Sequence, residues 1–108
     1  MKKQGQQKIW FISRHPGAWK WFCATGNRGR WQVTHPVSHI DPVDISTGDI
    51  VIGTLPIQLA AEICDKGAEY WHLTLALGEN QRGKELSYDD MIAASASVEQ
   101  YHIRRLSP

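Results

Sequence analysis

Apolar and polar positions along the chain fall into short blocks, and each block carries the period of a strand or of a helix. Residues 8–13 contain Ile9, Trp10, Phe11 and Ile12, a β-branched and aromatic run too short for a helix, which reads as a buried strand. Pro16 and Gly17 end it. Pro at a first helical position, followed by Ala18, Trp19, Phe22 and Cys23 on one face, predicts a short amphipathic helix stopping at Gly26. Residues 27–30 read as a basic loop, and residues 31–40 as a second, weaker strand broken by Pro36. Residues 41–48 are rich in turn formers and make a connection with room for one helical turn. Residues 49–53 are the clearest strand in the chain. Thr54 then stands as the cap of a helix with Pro56 in its first turn, Ile57, Ala60, Ala61 and Cys64 on its apolar face and Gly67 closing it. Residues 69–75 read as a fourth strand and residues 78–84 as a polar, glycine-flanked loop. Ser87 and Asp90 form a capping box before Met91, Ala94, Val98 and Tyr101, which predicts an amphipathic C-terminal helix with Arg104 and Arg105 near its negative end.

Strand and helix thus alternate, which predicts a single small α/β domain over residues 1–108, with 1–7 a polar tail. The expected architecture is a mainly parallel sheet of about four or more strands flanked by helices. In such a sheet the carboxyl ends of the parallel strands share one edge, and ligands bind in the crevice there. Three segments just after strands therefore become candidates: Ser13 to Gly17, Gly53 to Pro56, and residues 78–84.

Composition narrows the function. The 108 residues carry 12 Lys plus Arg against 11 Asp plus Glu, a net charge of +1, so no broad basic surface exists to hold duplex DNA. An anionic ligand must be held by local arrangement. Two cysteines, Cys23 and Cys64, without a CxxC, argue for a reducing compartment and against a disulfide framework. No run approaches the roughly 20 apolar residues of a membrane span, and the chain is expected to be cytoplasmic and soluble. Five tryptophans, four of them between positions 10 and 31, leave room for both core and exposed stacking surface.

Ser13, Arg14 and His15 end a strand where Pro16 opens a helix, so a hydroxyl, a guanidinium, an imidazole and backbone N–H groups converge on a site suited to phosphate. Each of these residues taken alone is better explained as a cap or a solvated charge, and together they point to an anion site. Thr54 is open to the same two readings: it caps a helix, or it caps and also touches a ligand, with the backbone behind Gly53 beside it. Arg82 and Lys84 on the loop after the fourth strand could close over an anion, or be merely solvated. Arg28 and Arg30 beside Trp31 offer cations next to a stacking surface that suits single-stranded or cyclic nucleotides, or are simply an exposed basic turn. His35, His39 and Asp41 resemble a metal cluster. Pro36 makes a helix there implausible, and in an extended segment the two histidines stand ~13 Å apart at about 3.3 Å per residue, too far to share an ion. No metal or other cofactor is expected. Cys23 and Cys64 sit on apolar helical faces and read as core, and His72 as a sheet residue.

The motifs Lys8-Ile-Trp-Phe-Ile-Ser-Arg-His-Pro-Gly-Ala18, Gly48-Asp-Ile-Val-Ile-Gly-Thr-Leu-Pro56 and Arg82-Gly-Lys-Glu-Leu-Ser87 together resemble a small CRISPR-associated accessory family found beside type III systems. The resemblance implies a Rossmann-like domain related to the cyclic-oligoadenylate sensors. It further implies a homodimer acting as a ring nuclease on the cyclic tetra-adenylate second messenger. On that footing His15, Arg14 and Ser13 are the expected catalytic residues. Gly53, Thr54, Leu55, Pro56, Arg82 and Lys84 are expected to bind substrate. A non-catalytic protein that sequesters the ring, or an interaction domain docking through its tryptophans, is the alternative.

Overall fold

The computed structural model describes residues 7–24, 30–74, 87–93 and 96–107. In chain order these form β1 (Ile9–Ile12), α1 (Pro16–Ala24), β2 (His35–Val37), a 3₁₀ turn (Pro42–Asp44), β3 (Ile50–Gly53), α2 (Ile57–Asp65), β4 (Glu69–Thr74), α3 (Tyr88–Ala93) and β5 (Ser97–Tyr101). The strands make one sheet in the order β2-β1-β3-β4-β5. The first four are parallel and β5 runs antiparallel to β4.

Alternation along β1 explains the two cores. Trp10 and Ile12 pack with Val51, Tyr70 and the α2 residues Ala60, Ile63 and Cys64 on one side of the sheet. Phe11 packs with Ile52, Leu73, the α1 residues Ala18, Trp21 and Phe22, and Met91 of α3 on the other. Successive side chains of a strand point to opposite faces, so β1 and β3, buried on both, read as continuous apolar runs. The result is a three-layer α/β/α domain with a mainly parallel sheet, as the alternation of elements predicts.

Local chemistry sets the ends. Gly67 follows α2 with φ of 94°, its N–H donates to the Cys64 carbonyl, and Ala68 N–H donates to that of Ile63. This pair of bonds is a Schellman cap, which a left-handed glycine completes at no steric cost. Ser87 Oγ accepts the Asp90 N–H at 3.1 Å while Asp90 Oδ2 accepts the Ser87 N–H at 2.9 Å, so the predicted capping box is present at the start of α3. Pro36 lies inside β2, an edge strand, where a missing N–H is tolerated.

Two expectations are corrected. The C-terminal helix is instead the short α3 followed by β5, and Arg104 and Arg105 lie past a strand, not at a helix end. The spacing of Met91, Ala94, Val98 and Tyr101 suits a helix, but Ala96 and Val98 both pack against the α1-side core with a period of two. Pairing here also covers the otherwise open edge of β4. Thr54, second, does not cap α2: the N-cap is Pro56 without a side-chain bond, and the Thr54 hydroxyl donates to the Leu73 carbonyl at 2.6 Å. Cys64 is buried as expected, whereas Cys23 is only half-buried.

Candidate functional site at the carboxyl rim of the sheet

β1 is continued sideways by β2 and β3 by β4, so the strand order reverses direction between β1 and β3. That is a topological switch point, where the loops leaving adjacent strands part and open a crevice at their carboxyl ends. Ser13, Arg14 and His15 leave β1 there and Thr54 leaves β3. A cleft of about 300 Å³ is lined by all four, together with Ser38, Leu73 and Met91. A second hollow of about 430 Å³ shares residues 13–15 and extends over Pro16, Trp19 and Ser38.

The corner after β1 is built by its own backbone. Ser13 N–H donates to the Val37 carbonyl at 3.1 Å, continuing the pairing with β2, and the Ser13 hydroxyl accepts the His15 N–H at 3.0 Å. Ala18 N–H closes onto the His15 carbonyl at 3.0 Å and begins α1. Ser13 therefore shapes a turn of the Ser/Thr type. It holds Arg14, which is exposed, and His15, which is half-buried, at the mouth of the cleft. Among the described residues no carboxylate lines either hollow, so the Arg14 guanidinium sets the local charge.

The corner after β3 is held from below. Gly53 is buried, and a Cβ built on it would stand 2.6 Å from the Ile12 carbonyl oxygen. Only glycine lets β1 and β3 approach this closely at the switch point. Tyr70, 2% exposed, reaches up from β4. Its hydroxyl accepts the Leu55 N–H at 3.0 Å and lies 3.2 Å from the Gly53 carbonyl and 2.6 Å from His72 Nδ1. One hydroxyl thus ties both sides of Thr54. Burial pushes the Tyr70 pKa above its ordinary value, by removing water that would stabilise the phenolate.

The structure brings together Ser13, Arg14, His15 and Thr54, with Gly53 packed beneath them. It separates Leu55 and Pro56 from that group. Leu55 lines a hollow on the α2 side of the sheet, and Pro56, exposed, starts α2 without lining the cleft. Arg82 and Lys84 lie outside the described residues, as does Arg28. Arg30 sits over Trp31 and Trp71, 4.5 and 4.7 Å from their rings, and Trp31 is 5% exposed. The pair is a packed cation–π contact in place of the expected open stacking surface. His35 rests against Trp10 and bonds Thr34 Oγ1, while His39 pairs with Ser38. Among the described residues no three His, Cys, Asp or Glu side chains gather as a metal site. Among the same residues no helix is long and apolar enough to cross a membrane.

Sequence reasoning missed Ser38, which leaves β2 toward the same rim and was open to the post-strand rule that found the others. Tyr70 gave no signal of its own beyond sharing a strand face with His72.

An α/β domain with parallel strands, helices on both faces and a topological switch point between β1 and β3 is, by fold, a doubly wound α/β protein. The comparison with family profiles is specific: the chain belongs to the family described as "Putative CRISPR-associated protein (Cas_VVA1548)", which matches residues 10–104. No curated protein and no solved structure matches the chain.

Proposed function

We propose that this CRISPR-associated protein is a ring nuclease that opens cyclic tetra-adenylate and so switches off type III antiviral signalling. The observation that carries the reading is the meeting of Arg14, His15, Ser13 and Thr54 in one cleft at the switch point, lined by no carboxylate among the described residues. An RNA linkage brings its own nucleophile. The 2′-oxygen attacks phosphorus, the bond from phosphorus to the 5′-oxygen breaks, and a 2′,3′-cyclic phosphate forms. The proton lost by the 2′-hydroxyl is matched by one gained at the 5′-oxygen. Such a step needs alignment, proton transfer and stabilisation of charge on the phosphate. In this proposal His15 moves the proton, Arg14 faces the phosphate charge, and Thr54 with the Ser13 turn orients the nucleotide. A ring of four equal nucleotides fits a twofold axis, so a homodimer presents it with two equivalent sites.

A second reading is favoured by one observation. The Thr54 proton is committed to the Leu73 carbonyl and Ser13 is held in its own turn, which leaves His15 as the single acid–base group of the cleft among the described residues. A protein that only sequesters the ring needs no more than that. Turnover separates the two. With labelled ring in large excess and EDTA present, the nuclease yields linear product through many turnovers. Release of intact ring on denaturation, at one equivalent per site, supports sequestration and overturns the first reading.

A further inference from the structure

We propose that the hollow on the α2 side of the sheet is a nucleobase subsite, and that it takes one adenine of the ring whose phosphate lies in the cleft. The identity of the base rests on the reading above. The hollow stands on its own geometry: about 350 Å³, with Leu55, Ile57 and Ala60 on one wall, Tyr70, His72 and Thr74 of β4 as its floor, and Tyr101 and Ile103 opposite. This is the lower end of the range for small-ligand pockets, room for one heterocycle and not for a cyclic tetranucleotide.

Two pairs of neighbouring residues straddle the rim. Thr54 and Leu73 line the cleft, and the next residue of each, Leu55 and Thr74, lines the hollow. A nucleotide whose phosphate meets Arg14 and Thr54 can therefore turn its base over the edge onto the other face. The floor is aromatic. His72 meets Tyr70 and Tyr101 edge to face, each with ring centroids 5.7 Å apart. Tyr101 is 45% and Ile57 69% exposed, so a flat ring finds an uncovered aromatic face and an uncovered apolar side chain.

Polar groups for a base edge are present as well. His72 Nδ1 is bound to the Tyr70 hydroxyl, which fixes the imidazole and leaves Nε2 for a ligand. Thr74 Oγ1 is buried and has no hydrogen-bond partner among the described residues. An unmet hydroxyl beside an otherwise apolar hollow is satisfied by the nitrogen edge of a heterocycle. A second copy of the chain fits less well. A stable interface takes about 800 Å² from each partner, whereas the large exposed hydrophobic residues here are Ile57 and Tyr101, flanked by exposed Ser97 and Glu99.

The test uses 2-aminopurine riboside, an adenosine analogue without phosphate whose emission is quenched by stacking. The wild-type chain is expected to quench it saturably. Tyr101→Ala is expected to abolish quenching, and Thr74→Val to raise the dissociation constant roughly tenfold. His15→Ala and added inorganic phosphate should change neither value. Absence of quenching in the wild type overturns the proposal, as does equal quenching in Tyr101→Ala shown folded by circular dichroism. Tyr101→Ala converting a dimer to monomer, with no change in quenching, assigns the face to a second copy and also overturns it. A wild-type chain that quenches the nucleoside but leaves cyclic tetra-adenylate uncut would refute the nuclease and leave the base subsite standing.

Discussion

The two rims of the sheet are built on opposite principles. At the amino rim Asp49 is 1% exposed and surrounded by donors: Trp10 Nε1 at 3.2 Å, Lys8 N–H at 3.1 Å and Ser46 N–H at 3.0 Å, with Lys8 Nζ 3.8 Å away. Every one of those contacts is internal, and the carboxylate ties the start of β3 to β1. At the carboxyl rim Arg14 and Thr54 are exposed and His15 is half-buried, facing open hollows. A buried carboxylate whose bonds are all internal is committed to joining the strands, while the exposed Arg14 guanidinium is available to a ligand. Stability and chemistry are thereby placed at opposite ends of the same strands.

The contrast is broken most sharply by two substitutions. His15→Ala at the carboxyl rim is expected to lower single-turnover cleavage of the ring about 10²- to 10⁴-fold, the usual weight of a positioned acid–base group. Its melting temperature should stay near that of the wild type. Asp49→Ala at the amino rim should do the reverse at the level of mechanism. It removes roughly 3–5 kcal/mol of stability, read by urea unfolding, because buried donors lose their acceptor. What remains folded should still cut.

Smaller effects sharpen the picture at the corner between the rims. Gly53→Ala should cost about 1–3 kcal/mol, since a methyl 2.6 Å from the Ile12 carbonyl forces β1 and β3 apart. Unlike Asp49→Ala it should also weaken ring binding, because Thr54 moves with it. Tyr70→Phe leaves the Leu55 N–H without its acceptor and should cost roughly 1–3 kcal/mol in chemical denaturation. The smallest signal is the pH dependence of that same residue. Its folded pKa lies above the unfolded value, so its contribution is intact below about pH 10. Above that the unfolded chain loses the proton while the folded chain keeps it, and stability falls as pH rises through the folded pKa. Subtracting the Tyr70→Phe profile from the wild-type profile isolates this decline.

Much of this was legible in the residues. β1 and β3 announce themselves because strands covered on both faces are apolar throughout, and the rule for parallel sheets then points from the sequence to Ser13, Arg14, His15 and Thr54. What escaped has a common cause, in that the decisive partner is distant in the chain. Val98 fits a helix by spacing and becomes a strand because β4 offers it an edge. The Thr54 hydroxyl looks like a cap until the Leu73 carbonyl, nineteen residues on, claims its proton. Arg30 looks like a free cation until the Trp71 ring, forty-one residues on, takes its guanidinium against its face. Tyr70 shows nothing by itself, since its importance lies in the Gly53 and Leu55 backbone it meets.

The central claim is that one rim of the sheet receives the polyphosphate, and amide chemical-shift mapping with cyclic tetra-adenylate on the slow or inactive His15→Ala chain tests it directly. The account predicts saturable shifts at the amides of Ser13, Arg14 and Thr54, with those of Ser46 and Asp49 unmoved. Shifts confined to the amino rim, or none at residues 13, 14 and 54 at saturating ring, would contradict it.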